Sequence, residues 1–476
     1  MPPDQAVVAS GASMPLVLRG GTVLTLDGAA LVRAGVDVVV GDGRLQAIAA
    51  AAAAPPGGRV LDVSGCLVLP GLVQGHLHLG QTLFRGLAER RRLLAWLRER
   101  IWPLEAAHDD ESAYWGALLG AAECLLGGTT TIQDIGLGPG APGLLAAIGD
   151  SGLRAFAGMC LMDTGEGAPS DLLAATDDAL AATAALGDRF DGAAGGRLRY
   201  ALNPRFILSC SDALWRGVRE LADQRGWPVH THALEQRDET AAVRAVKGGR
   251  DEIDYFDDEG LLATDLRIAH GVWLEAQHLA RVTAARSAGA NAAAREPGRQ
   301  PAFSVCHCPS SNLKLGSGIA DLQRLRAAAV PVGIGADGAA CSNTLDALEE
   351  VRLAALLQKL SHGPQSFGGV DALRLATSEG ARALGLDREI GSVEVGKRAD
   401  LLVLSLARPE LAAAGSVDPH DLVVFGASRA SVRHVLIDGE LLVEDGRLTK
   451  IDLPAVRRHA ERCRRDLLVR ARLPLD

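Results

Sequence analysis

The chain has 476 residues, of which 48% are hydrophobic and 22% charged, enough apolar material for one large core and a smaller one beside it. A formal charge of −9 argues against a phosphate-backbone partner, so no nucleic acid is expected. Apolar runs fall short of the roughly 20 residues of a spanning helix, and no membrane association is expected.

Residues 1–15, with Asp4 and no basic residue ahead of an apolar stretch, read as a loose tail rather than a secretory signal. Eight scattered cysteines without a CxxC pair suit free thiols, and the cytoplasm is the expected compartment. From 14 to 69 the pattern is short strands separated by Gly41-Asp42-Gly43 and Gly57-Gly58. The same grammar returns in ADLLVLSL and VRHVLIDGELLVEDGRL, so the two ends can complete one small β-sandwich domain.

Between them, eight short aliphatic runs alternate with helical stretches: 66–78, 129–136, 153–163, 198–204, 228–235, 266–272, 302–309 and 330–338. Their polar residues gather at the C-terminal ends. This predicts an α/β chain with a TIM (β/α)8 barrel whose site lies at the C-terminal rim of the strands; a doubly wound open sheet is the competing fold. The expected domains are 1–69 and 392–476 for the β-sandwich with a terminal helix, and 70–391 for the barrel. The Ala-rich stretch 284–300 reads as a surface insertion on the opposite face.

Gly75-His76-Leu77-His78 ends the first run, and residues two apart on a strand project to one side. The fifth run adds His230, His232 and Glu235, the sixth ends in His270, and the eighth ends in Asp337. Such ligand types on four strand ends point to a catalytic divalent metal with one open position. A bound divalent cation lowers the pKa of water to about 7 and makes it a nucleophile at neutral pH. Glu235 stands where a proton donor is needed, and Asp337 can accept and return the water's proton. His307, within Cys306-His307-Cys308, reads as a packing residue or a peripheral contact to the site.

These motifs resemble the amidohydrolase superfamily, in the branch of guanine deaminases, adenosine-type deaminases and triazine hydrolases. The likeness runs from about residue 16 to 450 through LPGLVQGHLHLGQTLFRG, HTHALEQRDE, IAHGVWL, CHCPSSNLKLGSGI, GADGAACSNTLD and IGSVEVGKRADLLVL. It implies that His76, His78, His232 and Asp337 bind one metal ion, zinc or iron. It further implies that His270 steadies the attacking water and that Glu235 shuttles a proton. The first lysine is Lys247, which removes the carboxylated-lysine, two-metal subclass. The resemblance also implies a homo-oligomer.

ALNPRFILSCS, AGMCLMD and Gln81 look like guanine deaminases, in which Arg205 and Gln81 would hold the base and Phe206 would stack on it or pack. The expected activity is therefore hydrolytic deamination of a small purine-like heterocycle, foremost a guanine-type base. Other features pull elsewhere. DGAACSNTLDALEEVRLAALLQK and Glu105 in IWPLE resemble the adenosine, S-adenosylhomocysteine and triazine members, in which that Glu can meet a ribose. The alternative is thus deamination of an adenine nucleoside or hydrolysis of a triazine. Arginines that would bind an amino-acid tail are missing after the third run.

Overall fold

The computed structural model describes residues 14–53, 55–290, 303–412 and 417–473. Eight parallel strands form its centre: Leu72–His78, Thr129–Asp134, Arg154–Ala157, Leu198–Tyr200, Val229–Ala233, Leu266–His270, Ser304–His307 and Val332–Ile334. Counted in chain order, they pair as four-three-two-one-eight-seven-six-five. The ring closes where Leu202 bridges Val229, with the Leu202 N–H donating to Pro228 O at 2.9 Å and the His230 N–H to Leu202 O at 2.8 Å. Closure selects the barrel over the open sheet, which would have left two free edges.

Each of the eight predicted runs contains a barrel strand, and the first contains two strands. Cys66–Pro70 belongs to the other sheet, Leu72–His78 to the barrel, and only Gly71 separates them. A Cβ on Gly71 would lie 2.2 Å from Thr130 Cγ2, so the crossover between the two bodies needs a residue without a side chain.

The small domain is built from both chain ends, as the patterning implied. Its nine strands form one mixed sheet in which Leu401–Ser405 pairs antiparallel to Cys66–Pro70, and the latter runs parallel to Leu16–Leu24. Aliphatic side chains of the two segments, among them Val38, Val68, Leu401 and Leu436, share one core. At the N-terminal end of the third barrel strand, buried Arg154 donates to Asp400 at 2.8 Å and Asp438 at 2.7 Å, tying the sheet to the barrel end remote from the site.

The terminal helix, Leu453–Ala471, leaves that sheet and packs on helix Asp110–Leu126 beside the barrel. Its Ala460, Cys463 and Leu467 join Leu83, Phe84, Trp96 and Trp102 in a second apolar cluster, and His459 stacks on Trp115 at 4.2 Å. All eight cysteines are free and buried, as their spacing suggested. No helix among the described residues is long and apolar enough to cross a membrane. The Ala-rich stretch begins within helix Ala276–Ala290, while 291–300 lies outside the described residues, as does the tail 1–13.

Candidate active site

The rim is made by strand ends that turn sharply inward. Leu234, His270 and Asp337, closing the fifth, sixth and eighth strands, have φ of 55°, 70° and 60°, the left-handed region that non-glycine residues avoid. Three such residues on one rim mark a backbone held by its surroundings for function. Gly335 allows the eighth strand to approach the first, because a Cβ there would sit 2.4 Å from His76 O.

Four side chains converge. Asp337 Oδ1 lies 3.3 Å from His76 Nε2 and 3.2 Å from His78 Nε2, and His78 Nε2 lies 3.1 Å from His232 Nε2. The tautomers are set from behind. His232 Nδ1 is 2.7 Å from Arg205 O, and a carbonyl only accepts, so the proton is on Nδ1 and Nε2 is a bare lone pair. His230 Nδ1 likewise donates to Arg267 O at 3.1 Å, leaving its Nε2 to accept from His76 Nδ1–H at 2.8 Å. His76 Nε2 then faces the centre as a lone pair with no hydrogen-bond partner.

Burial pushes the pKa values of His76, His78 and His232 down, keeping the imidazoles neutral and able to ligate. The bare Nε2 of His76 and the Asp337 carboxylate 3.3 Å from it repel unless a cation stands between them. Around an ion with bonds of about 2.0–2.1 Å, tetrahedral donors lie about 3.3–3.4 Å apart, close to the separations found. The donor set therefore fits one divalent ion. His76, His270 and Asp337 also offer atoms within 4.8 Å of one another, so His270 borders the same centre.

His270 Nε2 lies 3.5 Å from Glu235 Oε2 and 4.0 Å from Asp337 Oδ2, and its Nδ1 donates to Asn312 Oδ1 at 2.9 Å. Glu235 is 3% exposed, and burial raises its pKa against the pull of His270 and a hydrogen bond from Ser317 Oγ at 3.0 Å. Ser311 Oγ donates to Asp337 Oδ2 at 2.6 Å, while Oδ1, which faces His76 and His78, also accepts the Gly338 N–H at 2.8 Å.

A cavity opens over this floor. His78, His232, Glu235, His270 and Asp337 form its base, and Leu93, Trp96, Leu97, Phe206 and Leu315 form apolar walls. The roof segment passes through a π-helical turn at Leu97–Ile101, an irregularity frequent at functional sites. Arg205 and Phe206 line the cavity.

Gln81 and Glu105 do not line it. Both are buried behind Arg205, whose Nη1 donates to Glu105 Oε2, while Gln81 Nε2 donates to Glu105 Oε1 at 2.9 Å and lies 3.2 Å from His78 Nδ1. Arg205 thus lines the cavity while Glu105 holds its guanidinium and Gln81 holds Glu105, because a buried guanidinium is stable only beside a carboxylate. His307 is fully buried, its pKa pushed down to about 3 by burial, and it lies away from the cavity lining.

Sequence patterning placed His230 on the rim without a role, and it missed Asn312, Ser317 and the roof residues. For His230 the alternation with His232 was a usable signal. The roof offered none beyond apolar character.

Residues 67–442 match the Amidohydrolase family over most of the chain. The chain belongs to the amidohydrolase family. This amidohydrolase is 36% identical over 435 residues, 90% of its own length and 94% of the other's, to the 5-methylthioadenosine/S-adenosylhomocysteine deaminase of Symbiobacterium thermophilum. It superposes with a TM-score of 0.85 on an adenosine deaminase from Xanthomonas campestris with bound zinc, at 30% identity, covering 96% of this chain and 99% of that one. For the guanine deaminase of E. coli the TM-score is 0.76 at 27% identity, covering 91% and 99%. The chain is thus an enzyme that hydrolyses C–N bonds, and the adenine-nucleoside relatives favour the alternative substrate over the guanine-type base.

Proposed function

We propose that this amidohydrolase removes the amino group of an adenine nucleoside whose 5′ position carries a small uncharged group, as in 5′-deoxyadenosine or a 5′-thioether. The observation that carries the reading is the row Glu235, His270 and Asp337, with separations of 3.5 and 4.0 Å, at the base of a narrow apolar cavity. A divalent ion, zinc or iron, held by His76, His78, His232 and Asp337 supplies water acidic enough to attack at neutral pH.

The chain's own residues do the rest. Glu235, whose pKa burial raises, donates to the ring nitrogen beside the attacked carbon, which turns the ring into an electron sink. His270, its ring fixed by Asn312, holds the attacking oxygen in line. Asp337 Oδ2, facing His270, takes the proton that the water sheds and returns it to the departing amine. Leu93, Trp96, Leu97, Phe206 and Leu315 exclude bulk water from the reacting carbon.

Two observations support the 5′-uncharged class. Arg205 is the one cation among the described lining residues, and its charge is met by Glu105, so an amino-acid tail would find no free partner in the cavity. Relatives named 5′-deoxyadenosine deaminase point the same way, while those named 5-methylthioadenosine/S-adenosylhomocysteine deaminase cover uncharged and charged 5′ groups alike. The guanine-type reading keeps one observation in its favour, the position of Arg205 and Phe206 on the wall.

Ammonia release by zinc-loaded protein on 5′-deoxyadenosine, 5′-methylthioadenosine, S-adenosylhomocysteine, adenosine, guanine and an aminotriazine separates them. Preference for the first two is the expected result. Turnover of guanine alone would overturn the nucleoside reading, and preference for S-adenosylhomocysteine would overturn the uncharged 5′ class.

A further inference from the structure

We propose that the indole N–H of Trp96 donates a hydrogen bond to a sugar oxygen of the substrate, so that the roof of the cavity separates nucleosides from free bases. Helix Leu93–Trp96 runs directly into the π-helical turn, and Leu93, Trp96 and Leu97, spaced by three and four residues, all line the cavity. Trp96 is 4% exposed and belongs to the apolar cluster that also contains Leu93, Leu97, Phe206 and Leu315. Those wall residues carry no side-chain acceptor, and Trp96 Nε1 is buried without a hydrogen-bond partner.

An indole N–H is a donor only, and leaving it buried and unmet is costly. Elsewhere the chain supplies an acceptor: Trp227 Nε1 donates to Asp191 at 3.0 Å and Trp273 Nε1 to Ser317 O at 3.1 Å. Trp102 and Trp215 are also buried with Nε1 unpartnered, but neither lines the cavity, so of these three indoles Trp96 is the one a ligand reaches. Its ring is packed among apolar neighbours, and the donor is therefore in place before the ligand arrives.

The contact rests on the nucleoside reading, in which the amino-bearing ring lies on the cavity base against Glu235, His270 and Asp337. The roof then covers the part of the substrate remote from the amino group. In a 5′-deoxy or 5′-thioether nucleoside that part is the sugar, apolar at its 5′ end and carrying oxygens that accept hydrogen bonds. Leu93, Leu97 and Leu315 suit the first feature, and Trp96 Nε1 suits the second. A free base brings no sugar oxygen, and a site whose buried donor is left unpaired discriminates against that ligand.

The test compares 5′-deoxyadenosine with 9-methyladenine, which keeps the N9-substituted purine and lacks the sugar oxygens. Zinc-loaded Glu235→Gln protein holds both ligands with turnover suppressed, and calorimetry measures the two affinities. Adding Trp96→Phe is expected to weaken 5′-deoxyadenosine relative to 9-methyladenine by roughly 2- to 10-fold, the worth of one neutral hydrogen bond. Trp102→Phe makes the same chemical change to a buried, unpartnered indole outside the cavity lining, and the ratio of affinities should stay as it was. In the magnetic resonance spectrum of the isotope-labelled Glu235→Gln protein, one of the six indole N–H signals should move downfield with 5′-deoxyadenosine and not with 9-methyladenine. That readout needs no change at Trp96 and decides the matter if Trp96→Phe does not fold. Equal weakening of both ligands by Trp96→Phe, or an undiminished nucleoside affinity, would overturn the contact and leave the nucleoside reading standing. A Glu235→Gln protein that binds 9-methyladenine and not 5′-deoxyadenosine would overturn the two together.

Discussion

His230 Nε2 accepts the Nδ1–H of His76 at 2.8 Å, so one histidine that faces away from the metal position fixes the tautomer of another that faces it. Replacing His230 with Phe removes the acceptor and leaves the ligands in place. Partners of this kind contribute roughly 10- to 100-fold to metal affinity. Competition of zinc-loaded His230→Phe with a chelator should show a loss in that range, and undiminished affinity would mean that packing alone orients His76.

Glu235 and His270, 3.5 Å apart, give a second expectation. Glu235→Gln should keep its zinc, measured by elemental analysis, yet lose about 100- to 10,000-fold in kcat, the usual contribution of a general acid-base group. Turnover near the wild-type rate would take Glu235 out of the reaction.

Arg205 and Glu105 form a buried ion pair, 5% and 3% exposed. Removing one partner of such a pair costs about 3–5 kcal/mol, while replacing both by apolar groups is often neutral. Arg205→Met should therefore destabilise the chain by about that amount, with Glu105→Leu added to it restoring much of the loss. Urea unfolding of the two variants measures the difference. Additive destabilisation would show that the pair is not the stabilising unit.

Glu350 is wholly buried, accepts the Ser310 N–H at 3.0 Å, and is pushed by burial from 4.5 up to about 8. A carboxyl raised on folding weakens the folded state as pH climbs. The penalty is absent below 4.5, where both states are protonated, grows as pH rises, and is complete above about 8. Glu350→Gln should match the wild type near pH 4.5 and exceed it at pH 8 by something on the order of a few kcal/mol, read from thermal midpoints across that window. Parallel stability curves would refute the buried neutral acid.

The barrel and its rim were legible in the sequence because strand periodicity and ligand chemistry coincide there. His76 and His78 had to point together once the run was a strand, and His232, His270 and Asp337 had to reach one rim once the strands closed. The cluster of Gln81, Glu105 and Arg205 was not legible. Which polar groups face substrate and which face one another depends on the register of distant strands and on the roof helix, neither of which leaves a periodic trace. The same holds for the split of the first run at Gly71, where apolar character continues unbroken while the backbone passes from one sheet to another. The destination of the terminal helix was hidden for a similar reason: an amphipathic stripe does not say which surface it covers.

Strand Cys66–Pro70 lies between a partner in the first thirty residues and a partner that begins at Leu401, more than three hundred positions later. At a ribosomal pace of about 5–20 residues per second, its free edge waits roughly tens of seconds for that second neighbour. Throughout this interval the opening segment of the chain is an unfinished sheet, apolar on its core side and open to pairing with other nascent copies. The same stitch that joins the two ends in the finished enzyme makes its biogenesis depend on whatever shields an incomplete β edge during translation.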